Sequence, residues 1–336
     1  MQFNKFNIGL RIIDSNEKPY LIAEAGSNFN QNFDTACELI NVAAEAGADA
    51  VKFQLFDSIA LYPGGGEIFD VFKSVELNPE WIPELSKYAQ DQNIDFLASA
   101  FDKKSVDILE TANVVAYKIA SSEITNLPLL HYIASKKKPM IISTGMSDLV
   151  DIEEAINVSV AVGNNSIALL QCGTLYPLPI ALANLKVISS FIEKFKCPVG
   201  FSDHTLENTS ALIALGLGAR IFEKHFTLDR KSKGPDHFYA LEPNDLKIYF
   251  NNIQEGFKAL GNGEKEMLEA ERQFGRREGL YINKKLPIGA KLGSDDIDIR
   301  RPAIGLRSRY ASLISNAILR KNLNKGDPIT WDSVEF

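Results

Sequence analysis

The chain has 336 residues, of which 45% are hydrophobic and 24% charged, with a net charge of −7. That composition is ordinary for a folded globular protein and long enough for one large domain plus a small one, or two of medium size. The acidic balance excludes a general nucleic-acid binder, which needs a basic face, yet leaves room for an anionic small molecule held by a few local cations. Cys37, Cys172 and Cys197 are odd in number and match no metal or disulfide spacing, so they read as reduced thiols. The first 20 residues lack the apolar core of a signal peptide, and no apolar run approaches the ~20 residues of a membrane span. A cytoplasmic protein that avoids membranes is expected.

In chain order, eight short β-rich runs each end in polar residues: 20–26, 49–56, 94–102, 115–123, 139–147, 167–174, 197–205 and 219–227. Segments of helical periodicity separate them. In 33–48, Ala36, Leu39, Ile40, Ala43 and Ala44 share a face, Gly47 marks the end, and Asn32 or Asp34 supplies the cap. Residues 153–163 repeat the pattern and also close on Gly. The GGG at 64–66 has no Walker or dinucleotide context and reads as a loop. Eight strands alternating with helices predict an α/β fold, a (β/α)8 TIM barrel, over residues 1–268, with an open doubly wound sheet as the alternative. Residues 269–282 read as a linker running into a strand. Residues 283–336 read as a small β-rich domain, marginal alone, that packs on the barrel or on a second subunit.

Barrel active sites lie at the C-terminal strand ends. Strand one ends with Glu24, strand two with Lys52 and Gln54, and strand three with Ser99. Strand four offers Lys118, Ser121, Ser122 and Glu123. Strand five offers Ser143 and Thr144, and strand six Gln171 and Thr174. Strand seven brings Ser202, Asp203 and His204, and strand eight Glu223, Lys224 and His225. Alternation puts Glu223 and His225 on one face, Lys224 on the other, and Lys52 with Gln54. Two lysines among serines on separate strands suit a phosphate or carboxylate. His204 and His225 end consecutive strands and suit either a divalent metal or hydrogen-bonded core positions. His131 lies apart in a helix and reads as structural. Cys172 at a strand end reads as core rather than as a nucleophile.

The segments IAEAGSNFNQNFDTACELINVAAEAGADAVKFQ, AYKIASSEITNLPLL, KPMIISTGMS, GFSDHT, GARIFEKHFTLDR and GPDH stand in order, nearly one per strand. Through them the chain resembles the sialic acid synthase family along almost its whole length. It is also similar to spore-coat polysaccharide synthases. IRRPAIGL resembles the family's antifreeze-like (SAF, β-clip) domain.

The resemblance implies condensation of phosphoenolpyruvate with an N-acylamino sugar such as N-acetylmannosamine, releasing phosphate by C–O cleavage. The sugar alternatives are the 2,4-diacetamido-6-deoxy substrates of legionaminate or pseudaminate synthases. It implies a divalent metal, Mn2+ or Mg2+, on His204 and His225. Lys52, Lys118, Ser121, Ser143 and Ser202 are implied to hold phosphoenolpyruvate, with Ser99 nearby. Glu24 is implied as the acid–base group at the sugar, with Glu223 and Asp236 on the metal and sugar side and Tyr176 on the sugar. It also implies a homodimer in which the small domain caps the partner's barrel and Arg301 reaches the N-acyl group, with Arg300 adjacent. Thr174 and Gln171 depart from the family's usual Asn and His beside the substrates, which fits a changed sugar. Two other readings stand beside this one: an aldolase using Lys118 as a Schiff base, and a non-catalytic sugar- or ice-binding module.

Overall fold

A computed structural model describes residues 5–273 and 277–336, so residues 1–4 of the leader reading and 274–276 of the expected linker lie outside it. The chain divides into two compact units, residues 1–261 and 262–336.

In the first unit a hairpin, β1 (Phe6–Ile8) and β2 (Arg11–Ile13), precedes eight parallel strands. These are β3 (Tyr20–Gly26), β4 (Ala50–Leu55), β5 (Asp95–Ala100), β6 (Tyr117–Ile119), β7 (Met140–Ser143), β8 (Ile167–Cys172), β9 (Val199–Asp203) and β10 (Ile221–His225). Each pairs with the next, and β10 also pairs with β3, so the sheet closes into a barrel. This is the expected TIM barrel; the open sheet is excluded by that closing pair. Among the described residues no helix is long and apolar enough to cross a membrane.

Local chemistry sets the helix boundaries. Helix Phe33–Glu45 is capped by Asn32, which accepts the Thr35 N–H at 2.9 Å, while Asp34 lies inside the first turn. Gly47 follows at φ +85°, a conformation disfavoured for a residue with a Cβ. The helix expected at 153–163 begins earlier and runs Leu149–Ala161. Asp148 and Asp151 cap its start reciprocally, a signal that apolar periodicity does not carry.

The barrel interior is a packed core. Tyr20, Ile22, Ala50, Leu97, Ile141, Leu170 and Ile221 fill it, and Phe6, Ile8 and Ile13 of the hairpin join the same cluster. Space there is tight at Gly200, where a Cβ would stand 2.3 Å from the Ile221 carbonyl and 2.5 Å from Leu170. A larger cluster, including Phe53, Phe201, Phe222 and Phe250, packs strands against helices. Trp81 packs edge-on against Phe33 on that outer layer, centroids 5.5 Å apart.

The second unit holds β11 (Gly279–Ile282) paired with β12 (Ile297–Arg300), and β13 (Ile318–Leu319) paired with β14 (Val334–Glu335). The end of the expected linker is therefore a strand of this unit. Its own core gathers Leu280, Ile282, Leu292, Ile314, Leu319 and Ile329. Trp331 packs against Tyr310 there at 5.2 Å.

Candidate active site

The parallel register brings the strand-end polar residues side by side. Glu24 pairs with Lys52, Gln54 with Ser99, Ser99 with Lys118, and Ser202 with Glu223. With parallel strands in a closed barrel, all these side chains meet at one mouth. A pocket there is lined by Glu24, Lys52, Ser99, Lys118, Ser121 and Ser143 on one side, and by Thr174, Tyr176, Ser202, His204, Glu223 and His225 on the other.

Its floor is a buried charge network. Lys52 Nζ lies 2.7 Å from Glu24 Oε2 and 3.7 Å from Glu223 Oε2, and donates to Ser99 Oγ at 3.1 Å. Lys118 Nζ lies 3.3 Å from Glu223 Oε1, which also accepts from Ser202 Oγ at 3.0 Å. Gln54 Nε2 donates to Glu24 Oε1 at 3.1 Å. The two carboxylates diverge in acidity. Burial raises Glu24 to about 7, against the pull of Lys52. Burial also opposes ionisation of Glu223, but Lys118 and Lys52 outweigh it and bring that carboxyl down to about 2. Burial lowers Lys118, and it opposes the charge of Lys52 too, but there Glu223 and Glu24 outweigh it and hold the ammonium raised. Ser143 Oγ is buried in the same pocket with no hydrogen-bond partner. A hydroxyl left so costs roughly 1–3 kcal/mol unless a ligand uses it.

The two histidines form the other wall, ring centroids 5.4 Å apart. His204 Nδ1 is 2.6 Å from the Gly173 carbonyl. A carbonyl only accepts, so Nδ1 carries the proton and Nε2 keeps its lone pair. Tyr239 hydroxyl donates to Asp236 Oδ1 at 2.8 Å and lies 3.5 Å from His225 Nδ1. Burial lowers His204 to about 3 and His225 to about 4, keeping both neutral, as ligands must be. Among the described residues no group of three or more His, Cys, Asp or Glu is arranged to hold a metal. The protein's own donors here are two neutral imidazoles, which fit a divalent cation whose remaining positions go to water or substrate.

Asp236 stands beside this wall, its Oδ2 accepting from Ser27 Oγ at 2.8 Å. Gly26, at φ +54°, lets that carboxylate approach, since a Cβ would meet Oδ2 at 2.9 Å. The Tyr176 ring lies tilted against that of His204, centroids 4.2 Å apart. Arg301 lies in the second unit, where it donates to Glu278 Oε1 at 2.6 and 2.8 Å. Arg300 beside it pairs with Asp298.

Five strand-end residues turn elsewhere, Lys224 among them as alternation predicts. Gln171 donates to the Ala183 carbonyl at 2.9 Å, and Cys172 is the residue of that strand facing the pocket. Thr144 caps the Leu170 carbonyl, and Glu123 accepts from Asn126. Asp203 faces the helices, where Tyr249 donates to it at 2.9 Å. Sequence reasoning missed Ser27 and Tyr239, which seat Asp236; Ser27 lies inside the recognised segment that opens IAEAGSNF, and Tyr239 stands just after GPDH. It also missed Phe72, Phe101 and Met146, which line the same pocket; Phe101 and Met146 fall within the recognised runs 94–102 and 139–147, where only polar strand-end residues were sought, and the segment around Phe72 shows no distinguishing pattern.

Comparison with known proteins agrees with this geometry. The profile of the NeuB family matches residues 39–265, and that of the SAF domain residues 277–335. An N,N'-diacetyllegionaminic acid synthase of Legionella pneumophila is 35% identical, covering 97% of this chain and 98% of its own. One from Campylobacter jejuni is 37% identical, covering 93% and 99%. The crystal structure of N-acetylneuraminic acid (sialic acid) synthetase from Leptospira borgpetersenii, in complex with citrate, aligns with a TM-score of 0.77 at 31% identity, over 81% of this chain and 95% of that one. An eight-stranded barrel with this mouth, matched over nearly its whole length, belongs to the NeuB family of phosphoenolpyruvate-dependent nonulosonic acid synthases, with a C-terminal SAF domain.

Proposed function

We propose that the protein condenses phosphoenolpyruvate with a 2,4-diacetamido-6-deoxy sugar of the legionaminate type, with N-acetylmannosamine as the second acceptor. Two relatives named for the legionaminate product, similar over almost the whole chain, support that order. The observation that carries the reading is the pair of buried lysines beside the partnerless Ser143 hydroxyl. Such a floor suits a small, highly charged anion and little else.

In this reading Lys52, Lys118, Ser121, Ser143 and Ser202, with Ser99, hold the phosphate and carboxylate. Glu223 stays ionised between the lysines and keeps their ammonium groups side by side. Phosphoenolpyruvate C3 forms a bond to the aldehyde carbon of the open-chain sugar. Water adds at C2 and releases a proton that balances the one taken up at the aldehyde oxygen, and phosphate leaves with its bridging oxygen as C2 becomes the ketone. The aldehyde oxygen takes a proton, which Glu24, kept partly protonated at neutral pH by burial, is suited to give. Tyr176, Thr174 and Asp236 orient the sugar beside the histidines. His204 and His225 would hold Mn2+ or Mg2+, which supplies Lewis-acid polarisation of the aldehyde.

The test is phosphate release from phosphoenolpyruvate with Mn2+ across the diacetamido sugars, N-acetylmannosamine and arabinose 5-phosphate. Release with a diacetamido sugar is expected. Release only with arabinose 5-phosphate would reject the reading. Lowered by burial, Lys118 also has the character of an imine-forming lysine. Borohydride trapping of the protein with pyruvate is expected to leave it unmodified, and a covalent adduct would favour an aldolase instead.

A further inference from the structure

Behind the two histidines lies a buried ion pair that the reaction above does not use. β9 runs into Asp203-His204 and β10 ends in Lys224-His225. Alternation sends the histidines into the barrel mouth and sends Asp203 and Lys224 toward the helices. Asp203 and Lys224 are direct register partners, and Lys224 Nζ lies 3.3 Å from Asp203 Oδ2. Their exposures are 1% and 2%.

The pair is tied further on every side. Lys224 Nζ also donates to the Thr205 carbonyl and sits 5.1 Å from the Tyr249 ring centroid. Tyr249 hydroxyl donates to Asp203 Oδ2 at 2.9 Å. Asp203 Oδ1 accepts from Thr205 N at 2.8 Å and Thr205 Oγ1 at 2.7 Å. Thus the residues before and after His204 are both bound to the residue before His225.

Stability alone is a poor reason for such a pair. Desolvation offsets much of its attraction, and apolar replacements of buried ion pairs are often neutral or better. Geometry is a better reason. The two imidazoles come from different strands, and their separation depends on how those strand ends are held. Ligand positions tolerate only a few tenths of an ångström.

We propose that Asp203 and Lys224 are positioning residues. With Tyr249 and Thr205 they clamp the ends of β9 and β10, so that His204 and His225 face a single cation. The proposal rests on the cation reading of the two histidines.

The test compares full-length wild type with Asp203→Asn/Lys224→Met, which removes both charges and keeps an acceptor for Thr205 N. Mn2+ alone is titrated by calorimetry, and phosphoenolpyruvate separately. The Mn2+ dissociation constant is expected to rise about 10–100-fold with one site retained, the usual cost of losing an outer partner of a ligand. Affinity for phosphoenolpyruvate and the melting temperature stay near wild type. Unchanged Mn2+ affinity overturns the clamp, as does an equal loss of phosphoenolpyruvate affinity, or a wild type that binds no Mn2+. If the double variant does not fold, Tyr249→Phe removes one bond to Asp203 and keeps the ring. A several-fold weaker Mn2+ site is then expected, and an unchanged one overturns the clamp. Phosphate release with amino sugars, measured on the same wild-type preparation, judges the synthase reading separately from the clamp.

Discussion

Ser143 shows how a single residue can report on a ligand. Its hydroxyl is buried among charged neighbours and bonded to none of them. Ser143→Ala removes an unsatisfied group, so thermal stability should stay level or rise slightly. If the hydroxyl serves the anion, the KM for phosphoenolpyruvate should rise about tenfold, the worth of a hydrogen bond to a charged group. A stabilised variant with unchanged KM would remove Ser143 from the site. At this scale the sequence was legible where alternation has a clear phase. Lys52 with Gln54, and Glu223 with His225, share faces as expected, and Lys224 opposes them. It was illegible at Gln171 and Cys172. A shift of one residue exchanges the two faces of a strand, and nothing in LLQCGT marks which residue points inward. Asp203 stands between Ser202 and His204, so alternation turns it to the helices although it was grouped with them at the strand end. The family resemblance placed Asp236 beside the sugar, but only the fold reveals Ser27 and Tyr239 as what seats it.

Individual elements were legible through the contrast between β-rich runs and helical periodicity. All eight barrel strands fall inside their expected segments, because a strand buried on both faces reads as a short apolar run. Helix starts were less legible, since Asp148 caps from outside the apolar pattern. The interior glycine of β9 gives the element-scale prediction. Gly200→Ala places a methyl group 2.3 Å from the Ile221 carbonyl, which the strand pairing holds in place. Destabilisation of about 3 kcal/mol or more is expected, the upper range for overpacking a filled core, read as a shifted urea midpoint. A loss below about 1 kcal/mol would mean that β9 and β10 can part locally.

For the whole molecule, the division into a barrel and a β-rich unit was visible as a change in turn density after residue 270. Whether the small unit serves a second subunit was not, because a domain's partner leaves no periodicity. Arg301 gives a test of the capped-dimer reading. Lys118→Ala and Arg301→Ala subunits are each expected to be nearly inactive. If the small domain serves the partner's barrel, a mixed dimer carries one site with both defects and one with neither. Mixing after unfolding and refolding should then restore about a quarter of wild-type phosphate release, since about half the dimers are mixed. Arg301→Ala with full activity, or a mixture no better than its parents, would mean that Arg301 serves no neighbouring site.

The chain has two tryptophans, and they fall one to each unit: Trp81 against Phe33 and Trp331 against Tyr310. The molecule therefore carries one tryptophan fluorophore in each unit. Trp331→Phe leaves tryptophan emission from the barrel alone, and Trp81→Phe leaves it from the small unit alone. Without an added dye, the two variants can report whether the halves melt as one cooperative block or in sequence.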